Sequence, residues 1–285
     1  KTLVLIGTIN GHTATVNLPV TVTVAATEVK LDGTREVVLN DGSTYSLNLG
    51  DYSGKTALYA TVGGMSASYA NGTLTLSAEY KANTIKHGYQ TITVLFKDGD
   101  SYFNVTANAL VITQEIKTVE ELVTVSGRIY GYYRLANDLL NTSDRINVVG
   151  LGDWTNADGQ SGFRGTLDGN GKTISGWSTL NGLFGIVGQG AVIKNLTYTL
   201  TAYEPGGNTL ARSITGATIE NVTINVLLAK PSVAIDKEGG VITGLMSQRT
   251  LYKNVTINAD GQDIDSLFGT SWDCYKESNA NTFVN

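Results

Sequence analysis

The chain has 285 residues, a formal net charge of −5, a pI of about 5.1 and only 16% charged residues. It lacks the clustered Lys and Arg that neutralise phosphates, which argues against a nucleic-acid binder. No apolar run approaches the ~18 residues of a membrane span, so no membrane insertion is expected. With 33 Gly and abundant Thr, Val, Asn and Ser, the composition favours strands and turns over long helices, and an all-β chain is expected.

Cys274 stands alone, so no internal disulfide can form. His12 and His87 lie far apart, and HExxH, CxxC and the Walker lysine motif are absent, so neither a catalytic set nor a cofactor is expected. The chain opens on Lys1 rather than Met, and it is expected to be part of a longer multidomain protein.

Across residues 1–113 apolar and polar positions alternate, as in half-buried antiparallel strands. Examples are TATVNLPVTVTV (13–24), TALYATV (56–62), GTLTLSAEY (72–80) and QTITVLF (90–96). GG at 63–64, NG at 71–72 and DGD at 98–100 punctuate them at the spacing of a β-sandwich. KTLVLIGTINGHTATV (1–16) echoes QTITVLFKDGDSYFNV (90–105). Residues 1–24 therefore read as the last strands of one sandwich and 25–114 as a complete second one. This half resembles the bacterial immunoglobulin-like domains strung in tandem on surface proteins.

QEIKTVEELVTVS (114–126) changes style. Thr118 and Glu121 form a T-x-x-E capping box, and Val119, Leu122 and Val123 supply one apolar face, which predicts a helix of two or three turns. The polar stretch 113–117 reads as a linker into a second domain, 115–285.

That domain repeats. Aligned on Asn195, Asn221 and Asn254, three copies superpose Leu196 on Val222 and Val255, Tyr198 on Ile224 and Ile257, and Leu200 on Val226 and Ala259. The copies recur at intervals of about 20–35 residues, the length of a solenoid coil. One such unit cannot bury its apolar face alone, so stacked parallel coils are expected, with aliphatic columns inside. The three Asn are expected to form a buried amide ladder, because an unpaired buried amide costs about 1–3 kcal/mol.

GRIYGYYRLANDL (127–139), GFRGTLDGNGKTISG (162–176) and GLFG…AVIKNLTY (182–198) together resemble a family of short β-helical domains in bacterial surface proteins. These carry GLUG-type repeats, in which Gly-Leu-apolar-Gly opens a coil. The family's T-x-x-E-L helix, Y-x-L-A-N-D strand and F-x-G-x-x-D-G-N-G segment are matched by Thr118 to Leu122, Tyr133 to Asp138 and Phe163 to Gly171. GLFG stands at 182–185. The pattern is altered at 209–213, shortened to GLM at 244–246, and reads SLFG at 266–269. The resemblance implies a right-handed parallel β-helix, an extracellular or cell-surface location, and an adhesive or stalk role. Some family members accompany zinc proteases, whose metal signature this chain lacks.

Candidate functional residues follow. DGNG (168–171) reads as a tight turn with Gly169 and Gly171 in backbone angles closed to other residues. No metal is expected; the alternatives are a calcium site using Asp168 and Asn170, and a separate one in the loop DWTNADGQSG (153–162) using Asp153, Asn156 and Asp158, which lacks the EF-hand terminal Glu. Trp154, Trp177, Trp272, Tyr130 and Tyr132 are candidate rings for stacking a ligand, with glycans or host extracellular proteins as expected partners. Sequons such as NLT (195–197) and NVT (221–223, 254–256) are by-products of the Asn repeat. The expected function is a non-enzymatic adhesion or ligand-binding module. The alternatives are a polysaccharide-active enzyme using Arg164, Lys172 and Asp168, or a phage decoration or tail component.

Overall fold

The computed structural model describes residues 2–19, 25–39, 42, 44–125, 130–142, 162–177, 182–200, 210–226, 242–259 and 282–284. Among them the chain is all-β with two short α-helices. A first hairpin pairs β1 (Thr2–Ile9) with β2 (His12–Pro19) around Asn10 and Gly11, both at positive φ. These are the angles that a two-residue turn needs to match strand twist, and Asn-Gly adopts them at least cost.

A seven-stranded sheet follows: β3 (Thr27–Val38), β4 (Thr44–Ser46), β5 (Thr56–Val62), β6 (Met65–Ala70), β7 (Thr73–Leu76), β8 (Gly88–Asp98) and β9 (Ser101–Ile112). Its order is β3-β9-β8-β5-β6-β7-β4. All neighbours are antiparallel except β3 and β9, which run parallel, a departure from the uniformly antiparallel expectation. Alternation puts Ile92, Val94 and Phe96 of β8 into a core with Val62, Leu74 and Val105. The strand read over 72–80 stops at Leu76. There Ser77 accepts a hydrogen bond from the Tyr80 N–H and caps α1 (Ala78–Ala82).

Only Thr113 separates β9 from β10 (Gln114–Ile116), so the stretch read as a linker is strand on both sides of one buried residue. α2 (Val119–Thr124) is shorter than expected because residues 114–116 are spent on β10. Thr118 caps it by accepting from the Glu121 N–H, and Glu121 returns to the Lys117 N–H at 2.6 Å.

The rest is a stack of parallel strands: β11 (Tyr132–Leu135), β12 (Leu139–Leu140), β13 (Thr166–Asp168), β14 (Thr173–Trp177), β15 (Phe184–Val187), β16 (Val192–Leu200), β17 (Ala211–Thr215), β18 (Thr218–Val226), β19 (Thr243–Gln248), β20 (Leu251–Asn258) and β21 (Thr282–Val284). One sheet runs β10-β11-β13-β16-β18-β20-β21, with β12 and β14 leading to β16 at its side; a second runs β15-β17-β19. Every pairing in both is parallel. Leu196 pairs with Val222 and Val222 with Val255, the register in which the repeats align. Tyr133, Leu167, Ile193, Ile219 and Tyr252 form another inward column, all buried in one continuous core. Each such aliphatic side chain contributes about 1.5–3 kcal/mol by leaving water. The SLFG copy at 266–269 lies outside the described residues.

The Asn ladder forms, but on the outside. The Asn195 Nδ2 donates to Asp168 Oδ1 at 3.0 Å, Asn221 to Asn195 Oδ1 at 3.1 Å, and Asn254 to Asn221 Oδ1 at 3.0 Å. Asn195 is half-buried, and Asn221 and Asn254 are exposed, rather than buried as expected. The physical reason is backbone angle. All three sit at φ of 52–53°, a left-handed corner that breaks the alternation, so that Ile193 and Leu196 both point inward on either side of Asn195. Asn tolerates that region better than any other residue with a side chain except Asp.

DGNG makes the equivalent corner one strand earlier in the stack. Asn170 and Gly171 take the positive φ angles. Gly169 is needed for space rather than angle, since a Cβ there would meet the Asn195 carbonyl oxygen at 2.5 Å.

Lys194, Glu220 and Lys253 stand one position before the three Asn, and in register they continue a charged column through Asp168 and Arg134 to Glu115. Their charges alternate from strand to strand, with ion pairs Arg134–Glu115 at 2.5 Å, Lys194–Asp168 at 3.4 Å and Lys253–Glu220 at 2.6 Å. Partly exposed pairs are each worth at most about 1 kcal/mol, but the alternation keeps like charges out of adjacent coils.

Two sets of variants test these readings. Asn221→Val forces a β-branched residue to positive φ and is expected to cost roughly 2–3 kcal/mol, from backbone strain and two lost amide bonds. Asn221→Gly keeps the angle and should cost about 1 kcal/mol or less. Equal losses in denaturant midpoint would mean that the ladder, not the corner, selects Asn. In the charge column, Glu220→Lys places three lysines in succession and should destabilise more than Glu220→Gln. The difference should shrink as salt rises, and a salt-independent difference would remove the column's electrostatic role.

Candidate functional site

The place where the two halves meet concentrates the polar chemistry. Thr113, buried between β9 and β10, accepts the Tyr132 N–H on Oγ1 at 2.8 Å, and the same oxygen lies 2.8 Å from His87 Nδ1. His87 Nε2 lies 3.3 Å from the Tyr80 carbonyl oxygen, which can only accept. The proton therefore sits on Nε2, and the Thr113 hydroxyl donates to Nδ1. Burial lowers the His87 pKa, against a smaller opposing effect of the Tyr80 carbonyl, which keeps the ring neutral. Gly131 at φ +128° is required here, since a Cβ would meet Thr113 Oγ1 at 2.6 Å.

Around this centre, Leu110, Ile112 and Tyr132 form a small buried cluster with Val38 packed on it. Arg134 of β11 reaches back to Glu36 of β3 at 2.7 Å as well as to Glu115. The Glu36 hydrogen bond, with that of Glu115, holds the guanidinium pKa even higher than usual.

Asp168 is the most heavily used carboxylate. It accepts from the Tyr132 hydroxyl at 2.6 Å, from Asn195, and from the Asn170 N–H at 2.9 Å, and it pairs with Lys194. Burial works to raise its pKa, but these hydrogen bonds and the Lys194 charge outweigh it and hold it below the usual carboxylate value. Its oxygens are thus engaged by protein groups. Asp153 and Asp158, of the separate loop weighed as an alternative calcium site, lie outside the described residues. Among the described residues no group of three or more His, Cys, Asp or Glu is placed to hold a metal ion.

The candidate stacking rings are scattered. Tyr132 is only 4% exposed and serves the joint rather than a ligand. Tyr130 borders a groove of about 280 Å³ between the halves, with Ile85, His87, Arg164 and Thr166. There Arg164 Nη1 donates to the Tyr130 hydroxyl at 3.0 Å. Trp177 closes β14 in register with Leu200. Trp154 and Trp272 lie outside the described residues.

Sequence reasoning missed Tyr89, which is 67% exposed at the edge of the joint. Its ring meets Tyr132 edge-on, with centroids 6.3 Å apart and planes at 86°. Lys194 Nζ lies 5.9 Å from the Tyr89 centroid and 5.3 Å from that of Tyr132. The signal was present: Tyr89 falls on the outward parity of β8, where a large aromatic is conspicuous. Likewise, the alternating Lys194, Glu220 and Lys253 stand immediately before the aligned Asn residues.

No family model matches the chain, and neither a curated protein nor a solved structure does so. Among the described residues no helix is long and apolar enough to cross a membrane.

Asp168→Asn tests the electrostatics of the joint. A carboxylate with a depressed folded pKa contributes stability that is present above its unfolded pKa, about 3.9, and lost as pH falls through the folded value. The variant should be less stable than the parent at pH 7, and the gap should close below about pH 4. Parallel stability curves across that range would show that the charge of Asp168 contributes nothing.

Proposed function

We propose that the chain is a non-enzymatic module of a bacterial extracellular or cell-surface protein. In this reading an immunoglobulin-like sandwich (25–114), preceded by the last strands of another (1–24), is a spacer. It carries a short right-handed parallel β-helix of GLUG-type repeats (115–285), and the pair binds a glycan or host protein. The observation that carries the proposal is the joint: β9 passes into β10 through one buried residue, and an ion pair, a hydrogen-bond chain and an apolar cluster bridge the halves. Such a joint suits a module that holds a surface in a fixed place at the end of a row of domains. All-parallel pairing and coil-to-coil Asn bonds support the β-helix reading.

A binding role is favoured over catalysis because the carboxylate best placed for acid–base work, Asp168, is committed to Tyr132, Asn195 and Lys194. The test is a glycan array together with a pull-down on host matrix proteins, using the full chain. Retention on either supports binding, and silence on both reduces the module to a stalk. Release of unsaturated products from pectin or other uronates with calcium present would replace the reading with a lyase.

A further inference from the structure

We propose that the outward face of the sandwich next to the joint is a binding site for a neutral, hydroxyl-rich oligosaccharide, with Tyr89 as its stacking platform. This deepens the adhesive reading above and rests on it.

The face is built by register. Thr34 of β3, Asn108 of β9 and Thr91 of β8 lie side by side across three strands, and the next outward row brings Thr93 of β8 beside Thr61 of β5. These residues and Tyr89 line a groove of about 570 Å³. Its floor opens at Gly63, where a Cβ would collide with the Gln90 side-chain amide, so the absence of a side chain lets that amide lie over the turn. The lining offers hydroxyl and amide groups that both donate and accept, and it carries no charged residue. That chemistry matches sugar hydroxyls and offers nothing to a uronate. Two cations at the joint are already paired, Lys194 with Asp168 and Arg134 with Glu36 and Glu115.

Tyr89 supplies the apolar surface on which the C–H face of a pyranose can rest. An exposed tyrosine ordinarily loses rotamer freedom when a ligand stacks on it. This one is already held edge-on by Tyr132 and by Lys194 over its ring, so little ordering cost remains. The hold comes from the other half of the molecule, since Lys194 belongs to β16 and is itself steadied by Asp168. The site therefore needs both halves.

Tyr59, half exposed, lies on the same face in register with Leu95. It is about 20 Å from Tyr89 along β8 at the ~3.4 Å rise of a strand. Two rings that far apart on one face call for an extended oligosaccharide rather than a single sugar.

The experiment is isothermal titration of the full chain with cellohexaose, mannohexaose, chitohexaose and, as the acidic comparison, hexagalacturonate. At least one neutral hexamer is expected to bind in the micromolar to millimolar range and hexagalacturonate not to bind. Tyr89→Ala should weaken binding about tenfold or more, while Tyr89→Phe should retain it. Lys194→Met, which leaves the groove lining untouched, should weaken it severalfold by freeing the ring. Tyr59→Ala should weaken the hexamer but not the corresponding dimer.

The proposal is overturned if no neutral hexamer binds up to about 10 mM, or if binding survives Tyr89→Ala. Two further outcomes overturn this site while leaving the adhesive reading intact. In one, glycan binding is lost on Tyr130→Ala rather than Tyr89→Ala. In the other, a matrix protein binds through Tyr89 and no glycan does.

Discussion

Four groups from different parts of the chain converge on the carboxylate of Asp168: the Tyr132 hydroxyl, the Asn195 amide, the Asn170 backbone N–H and the Lys194 ammonium. Each leads to a different feature. Tyr132 belongs to the apolar cluster that joins the halves, Asn195 begins the outer amide ladder, Asn170 forms the corner after β13, and Lys194 belongs to the charge column and holds Tyr89. A carboxylate this enclosed must stay ionised and fully bonded, because an unpaired buried charge would be far more costly than any of the contacts it makes. The joint, the first corner and the exposed Tyr89 are therefore energetically linked through one side chain.

The stack turns a one-dimensional sequence pattern into columns. Parallel register places each inward residue over its equivalent, so Leu196, Val222 and Val255 continue one another without any coil having a complete core. The same register acts on the outside, where it would bring identical charges together if adjacent copies carried the same residue. Alternating Glu115, Arg134, Asp168, Lys194, Glu220 and Lys253 avoids that repulsion. The left-handed Asn at each corner lets one long strand bend while keeping both flanking apolar residues inside. Selection of Asn there answers first to backbone angle, and the hydrogen bonds between exposed amides are added to it.

The joint explains why the most exposed ring near it is also well positioned. Tyr89 comes from the seven-stranded sheet, but the groups that hold it come from the parallel stack. Tyr132 faces inward to the joint and Lys194 outward to the charge column, and both positions are set by parallel pairing of β11, β13 and β16. The neutral Thr-lined groove beside Tyr89 is a property of the seven-stranded sheet alone.

Much of this was legible in the sequence. Alternation marked β5, β8 and β16, Asn-Gly marked the turn at 71–72, Thr118 and Glu121 marked the start of α2, and alignment on Asn195, Asn221 and Asn254 established the register of the stacked strands. These are local or periodic signals, and a propensity or a repeat carries them. Three features were decided only by tertiary structure. The Asn side chains face outward because the corner angle turns them there, which a repeat of Asn does not reveal. Residues 114–116 of the stretch read as a linker are strand, and Thr113 before them is buried and bonded to both His87 and Tyr132. Tyr132 is buried and Tyr89 exposed, since exposure depends on which half lies against which. Sequence records what each residue can do at short range, and contacts between residues as distant as Glu36 and Arg134 decide which of those possibilities is used.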